Sequence, residues 1–60
     1  MKIKDLVQYM SPNQEIIIWS DAFVETMFTG TVAELSENTK NYDIVLIEGS
    51  FMPNVIRLNI

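Results

Sequence analysis

The apolar residues near the start of the chain follow the spacing of a helix. An apolar pattern at i, i+3, i+4 and i+7 predicts a short amphipathic helix, and its positions are Ile3, Leu6, Val7 and Met10. The segment Ser11-Pro12-Asn13 then ends this helix, because proline disfavours helical geometry at the preceding residue and asparagine suits a turn. The first predicted element is therefore one short helix.

Four later segments are rich in β-branched and aromatic residues, which indicates strands. They cover residues 14–20, 23–29, 42–48 and 55–60. Asp21 and Ala22 form a candidate hairpin turn between the first two segments. The last segment alternates strictly between two faces, with isoleucine or leucine at every second position from Ile56 to Ile60.

A capping box marks the start of a second predicted helix. Thr31-Val32-Ala33-Glu34 fits the pattern S/T-x-x-E, in which the threonine bonds the amide of Glu34 while the glutamate reaches back. Gly30, just before it, lets the chain change direction. The helix is predicted to be short and to end near Lys40 and Asn41.

A faint internal repeat suggests the fold. Residues 3–28 and 32–56 align so that each half has the order helix, strand, strand. The alignment matches Phe51 with Phe23, which is predicted to fold back toward the core. We therefore predict one small α+β domain over residues 1–60, an α-β-β-α-β-β pseudo-repeat. The four strands are predicted to form an antiparallel sheet with both short helices on one face.

Two short helices can cover only one face of such a sheet, yet the strands are apolar on both faces. The residues predicted to face the helices are Ile16, Ile18, Ile44, Leu46, Ile56, Leu58 and Ile60. Those predicted to face away are Ile17, Trp19, Val45, Ile47 and Val55. One-sided burial would place polar residues there. Either a homodimer or another protein partner covers this second face, with Trp19 as an anchor, or the sheet curls into a small barrel-like core that buries Trp19.

The segment EGSFMPN places two large apolar side chains in a predicted hairpin loop. Gly49, Pro53 and Asn54 are turn-forming residues, whereas Phe51 and Met52 are apolar. Two interpretations stay open: these side chains fold back onto the core, or at least one projects into a partner. The candidate interaction residues are therefore Ile17, Trp19, Val45, Ile47, Phe51 and Met52.

The composition argues against catalysis. The chain has no cysteine and no histidine, which removes thiolate and imidazole ligands and the commonest general base. No serine lies in a nucleophile motif, and the two glycines stand alone, so there is no glycine-rich phosphate loop. The carboxylates do not have the spacing of a cation site. We therefore expect no enzyme, and no catalytic residue, cofactor or metal.

The charge pattern argues against direct nucleic-acid binding. Four basic and eight acidic residues give a formal charge of −4, whereas a phosphate binder needs clustered Lys or Arg. The acidic residues are scattered, which is typical of a solvated surface; an acidic mimic of DNA is the alternative. The longest apolar runs, IIIW and IVLI, are far too short to span a membrane. No targeting segment is visible, and the expected location is the cytoplasm.

In overall character the chain resembles small proteins encoded by phages and prophages of low-GC Gram-positive bacteria. The likeness rests on the opening MKIKDL, the Asn-, Ile- and Lys-tolerant composition, the capped helix of x-V-x-E-L type at residues 31–35, and the lack of cysteine and histidine. It implies a protein-interaction module, acting as an accessory protein or as an inhibitor of host machinery, anti-CRISPR proteins among them. The alternative is an acidic DNA-mimic inhibitor or a small subunit of a DNA-bound regulatory complex. The resemblance transfers no functional residue.

Overall fold

The computed structural model describes residues 1–49 and 54–60. Its elements are α1 (Ile3–Val7), β1 (Glu15–Ser20), β2 (Glu25–Thr31), a 3₁₀ helix (Val32–Glu34), α2 (Glu37–Lys40), β3 (Leu46–Gly49) and β4 (Val55–Asn59). The predicted α+β class, with a four-stranded sheet and two short helices, is confirmed. The order α-β-β-α-β-β is also the one predicted from the sequence.

The sheet is mixed, with strand order β2-β1-β4-β3. The two hairpins are antiparallel, but β1 and β4 run parallel at the centre, from the pair Glu15 and Val55 to the pair Trp19 and Asn59. The centre therefore differs from the wholly antiparallel sheet expected from the sequence. The two halves of the repeat are also not equivalent, since β1 is central whereas β3, its counterpart by sequence, lies at an edge.

The core lies between one face of the sheet and α1 with the segment that follows β2. Its buried apolar residues are Ile3, Val7, Ile16, Ile18, Val32, Leu35 and Leu58. Ile44, Ile56 and Ile60 are partly buried against this cluster, so six of the seven residues predicted to face the helices do so. The helix α2 contributes no buried side chain and contacts α1.

Leu46, the remaining one of these seven residues, shows that the side chains of β3 lie on the opposite faces from those predicted. Leu46 lies opposite Asn59 on the face away from the helices, and Ile47 lies opposite the fully buried Leu58 on the helix side. The prediction that Ile47 faces away from the helices is therefore wrong. Its cause is local: the chain bends at Val45 and the strand begins only at Leu46, which breaks the alternation counted from Ile44.

The second predicted helix consists of two pieces. The capping-box residues Thr31 and Glu34 meet, with Glu34 Oε1 accepting from the Thr31 amide at 3.1 Å and from the Thr31 hydroxyl at 2.9 Å. They enclose the 3₁₀ helix, and Leu35 then has an extended conformation. The helix α2 begins after Ser36, whose Oγ accepts from the Thr39 amide at 3.2 Å. Two polar caps in quick succession thus replace one continuous helix.

Candidate functional site

The face of the sheet away from the helices carries its own polar cover. Ile17 and Trp19 lie on this face and are half-buried. The Arg57 guanidinium lies 5.0 Å from the centroid of the Trp19 ring, and Arg57 Nε donates to Asn59 Oδ1 at 3.0 Å. Arg57 Nε is also 3.6 Å from a carboxylate oxygen of Glu48. Trp19, predicted as either anchor or core residue, is therefore stacked against a cation of its own chain.

The structure does not bring the predicted interaction residues into one patch. Ile17 and Trp19 share the face away from the helices, whereas Ile47 lies on the helix side of the edge strand. Val45 precedes that strand and is 69% exposed. Phe51 and Met52, for which two interpretations were given, lie outside the described residues.

Another group of exposed apolar side chains lies where the β1–β2 hairpin turns. It surrounds a cleft of 310 Å³, which we call the hairpin cleft. Its apolar lining residues are Ala22, Phe23, Met27, Tyr42 and Ile60, and its polar ones are Ser20 and Asp43. Phe23 is 71% exposed, so the prediction that it folds back toward the core is wrong.

A β-bulge brings Met27 to this cleft. Ile18 pairs with Phe28, but the next residue, Trp19, pairs with Thr26, so Met27 is the extra residue of β2. A bulge bends its strand and re-aims the side chains beside it. Phe28, which pairs with the buried Ile18, packs against the core, while Met27 stays exposed and lines the cleft.

The hairpin turn is held by specific hydrogen bonds. Buried Ser20 accepts the Phe23 amide on its Oγ at 3.1 Å. The Asp21 amide donates to the Ile60 carbonyl at 2.9 Å, and the Ile60 amide donates to the Trp19 carbonyl at 2.8 Å. The wall of the cleft formed by the turn is therefore fixed to β1 and to the residue that follows β4.

The same turn contains a strained residue. Val24 has φ of 53°, a left-handed conformation in which a β-branched residue is a genuine outlier. Such a conformation costs of the order of 1–3 kcal/mol. The Val24 side chain is 72% exposed, so core packing does not offset this cost. Strained residues of this kind cluster at active sites, ligand clamps and switch regions. Val24 directly follows Phe23, a lining residue, which favours the hairpin cleft as the functional site.

Three carboxylates lie in or beside the cleft. Asp43 lines it, Asp21 adjoins Ala22, and Glu25 pairs with Ser20 across the hairpin. The ion pairs found in residues 1–49 and 54–60 join Lys40 to Glu37 and Arg57 to Glu48, and so involve none of the three. The nearby Lys2 forms an isolated backbone bridge with Asp43, but its ammonium donates to the Asn41 carbonyl at 3.1 Å. The cleft is therefore apolar with an acidic rim.

Sequence reasoning missed this cleft because its residues come from three separate segments: the turn and the start of β2, Tyr42 with Asp43, and Ile60. One signal was available. The turn Asp21-Ala22-Phe23-Val24 contains neither glycine nor asparagine, the residues that accept left-handed backbone most readily. Two large apolar residues at such a turn indicate a constraint other than turn formation.

Comparisons with protein-family models, curated proteins and solved structures gave no match to this chain. In the part of the chain that the structure describes, no group of three or more acidic side chains is placed to hold a metal ion. The described helices are also too short to cross a bilayer.

Proposed function

We propose that the protein is a non-enzymatic interaction module that binds a partner protein through the hairpin cleft. The observation that carries this proposal is the cleft itself: exposed Phe23, Met27 and Tyr42 around a turn held in a strained conformation. The protein would then act as an inhibitor or accessory protein by occupying the partner's surface, which is the role that the resemblance to small phage proteins implies.

The chemistry of the cleft fits a protein partner. Aromatic residues and methionine are enriched at the centres of protein interfaces, where they fill pockets and exclude water. The hydrogen bonds of Ser20 and Asp21 hold the turn before any partner arrives. A preordered surface loses less conformational entropy on binding, which increases affinity without additional contacts.

A second candidate function is mimicry of nucleic acid by the acidic surface. Seven of the eight acidic side chains are exposed, and these are Asp5, Glu15, Asp21, Glu25, Glu34, Glu37 and Asp43. Binding by mimicry would weaken steeply as salt increases, because exposed charges are screened. An apolar interface would respond much less.

We also propose that the chain forms a homodimer through the β3 edge, defined as Val45, Leu46 and Ile47. These residues are 69%, 48% and 46% exposed, and no strand lies outside β3 in the described sheet. Edge strands are usually protected by charged residues, but Glu48 is engaged by Arg57. An antiparallel two-fold contact would place the same edge of a second copy against it.

Selection from a random peptide library displayed on phage tests the main proposal. We expect wild-type protein to enrich binding sequences that no longer bind a Phe23→Ser/Met27→Ser variant. Tyr9→Ser is the matched control, because Tyr9 is 84% exposed and does not line the cleft. Failure to enrich any sequence, or equal binding by the cleft variant, would contradict the proposal.

A further inference from the structure

We infer that the segment bound in the hairpin cleft is an apolar side chain flanked by lysine or arginine. This inference rests on the proposed function and adds the chemistry of the partner. Two features of the cleft carry it: the charge of its rim and the pairing of an aromatic ring with a carboxylate in its lining.

The rim is negative on both sides of the apolar lining. Asp43 belongs to the lining itself, whereas Asp21 and Glu25 are not lining residues and are placed beside the hairpin wall by their positions next to Ala22 and opposite Ser20. Lys2 forms an isolated backbone bridge with Asp43, and its ammonium donates to the Asn41 carbonyl and keeps its positive charge, so three carboxylates stand against one ammonium here. A partner with acidic flanks would be repelled here, whereas basic flanks would be attracted during approach and after docking.

The second wall presents two groups suited to a cation. Tyr42 and Asp43 are adjacent in the chain and both line the cleft. An ammonium or guanidinium is attracted to the face of an aromatic ring and forms charge-assisted hydrogen bonds with a carboxylate. Arg57 on Trp19 shows the first of these contacts within this chain.

This wall is also held in place by backbone hydrogen bonds. The Ile3 amide donates to the Tyr42 carbonyl at 3.0 Å, and the Ile44 amide donates to the Met1 carbonyl at 2.8 Å. The Tyr42 amide donates to the Thr39 carbonyl at 3.2 Å. The backbone of Tyr42 and Asp43 is thus held between bonded neighbours, and both residues line the cleft.

Three synthetic peptides with one shared Leu-Phe centre test the inference. Their flanks are lysine, glutamine or glutamate, and binding is followed by fluorescence anisotropy and by NMR shifts of the cleft residues. We expect the lysine peptide to bind about tenfold more tightly than the glutamine peptide at low salt, and the difference to shrink as ionic strength rises. The glutamate peptide should bind most weakly.

Variants of single carboxylates locate the effect. Asp43→Asn should reduce the preference for the lysine peptide over the glutamine peptide by several-fold. Glu15→Gln is the matched control, since Glu15 is exposed at the opposite end of β1 and should leave the preference unchanged.

The outcomes separate this inference from the proposed function. Equal binding of the lysine and glutamine peptides in the cleft would overturn the inference and leave the interaction module standing. An unchanged preference in Asp43→Asn would also overturn it. If no peptide shifts the cleft resonances although the library selection succeeds, the inference is overturned; if the selection fails as well, the proposed function is wrong.

Discussion

Arg57 covers Trp19: the guanidinium carbon lies 5.0 Å from the centroid of the indole ring. The two residues belong to the parallel central strands β4 and β1, and Glu48 of the edge strand stands on the other side of the arginine. Three strands are thereby joined by one side chain on the face away from the helices. This contact explains how an apolar residue such as Trp19 is accommodated on that face.

Removing this arginine should destabilise the protein. Arg57→Ala loses the cation–π contact and a half-exposed ion pair, together worth about 1–2 kcal/mol. Trp19 is the one tryptophan of the chain, so its emission should shift to the red as water reaches the ring. Arg57→Lys should recover only part of the stability, because a lysine lacks the planar group that stacks. Urea denaturation followed by fluorescence measures both effects.

A matched variant on an exposed helix provides the control. Lys40→Ala removes a pair in which the Glu37 side chain is 88% exposed, and it should change stability by less than about 0.5 kcal/mol. If Arg57→Ala is no more destabilising than Lys40→Ala, the stacked contact does not contribute to stability.

Relieving the strain at Val24 should stabilise the fold. Val24→Asn places a residue that tolerates left-handed backbone at φ of 53°, and a gain of about 1 kcal/mol would raise the Tm by roughly 4–8 °C. Tyr9→Asn is the control, because Tyr9 is likewise exposed but is not at positive φ and lies in neither proposed interface. Equal Tm values for the two variants would show that the backbone conformation is not the cause. Thermal melts by circular dichroism suffice.

The capping box should make stability depend on pH. The pKa of Glu34 lies below its ordinary value near 4.5, first because its carboxylate accepts from the Thr31 amide and second because it accepts from the Thr31 hydroxyl. Because the pKa of Glu34 is lower in the folded state, its carboxylate stabilises the fold at pH values above the unfolded-state pKa. This stabilisation is lost as the pH falls through the folded-state pKa. Glu34→Gln should therefore be less stable than wild type near neutral pH, and this difference in stability should shrink as the pH falls through the folded-state pKa of Glu34.

Two threonine variants check the same contact. Thr31→Ala removes the hydroxyl but keeps the amide, so it should weaken part of the pH dependence, whereas Thr31→Ser should retain all of it. Urea midpoints measured across the acid range decide this. A difference between wild type and Glu34→Gln that stays constant with pH would contradict the assignment.

The proposed homodimer is checked by molar mass. We expect light scattering on a size-exclusion column to give a mass above that of the 6.9 kDa chain, increasing with concentration at tens of micromolar. Val45→Lys, which places a charge on the β3 edge, should return the mass to that of the monomer. Thr29→Lys, on the opposite edge strand, should not. A monomeric wild type at every concentration would contradict the dimer.

The sequence predicts local structure well where one contact dominates. The spacing of Ile3 and Val7 predicts α1, and the alternation of Ile16 and Ile18 predicts the buried face of β1; both residue pairs are in the core. Thr31 and Glu34 also meet as expected. These features depend on neighbours within a few residues, so periodicity and capping rules identify them.

The missed features depend on long-range pairing, except for the shift at Leu46, which has a local cause. A parallel contact between β1 and β4 leaves no local signal, because the residues that favour strands suit parallel and antiparallel pairing alike. The shift at Leu46 follows from a bend at Val45, and the exposure of Met27 follows from a bulge in β2. For the same reason the cleft could not be assembled from the sequence, since its walls meet only after the sheet has formed.

The parallel pairing at the centre of the sheet also bears on folding order. Each hairpin closes a short loop and can form early, but neither hairpin contains both central strands. The pairing of Glu15 with Val55 requires a long stretch of chain to be closed into a loop. The conformational entropy of that stretch is lost before the contacts between the two strands form. A chain cut between α2 and β3 would separate β1 from β4. Its two fragments would then have to meet in solution, and the stability of the sheet would depend on their concentration.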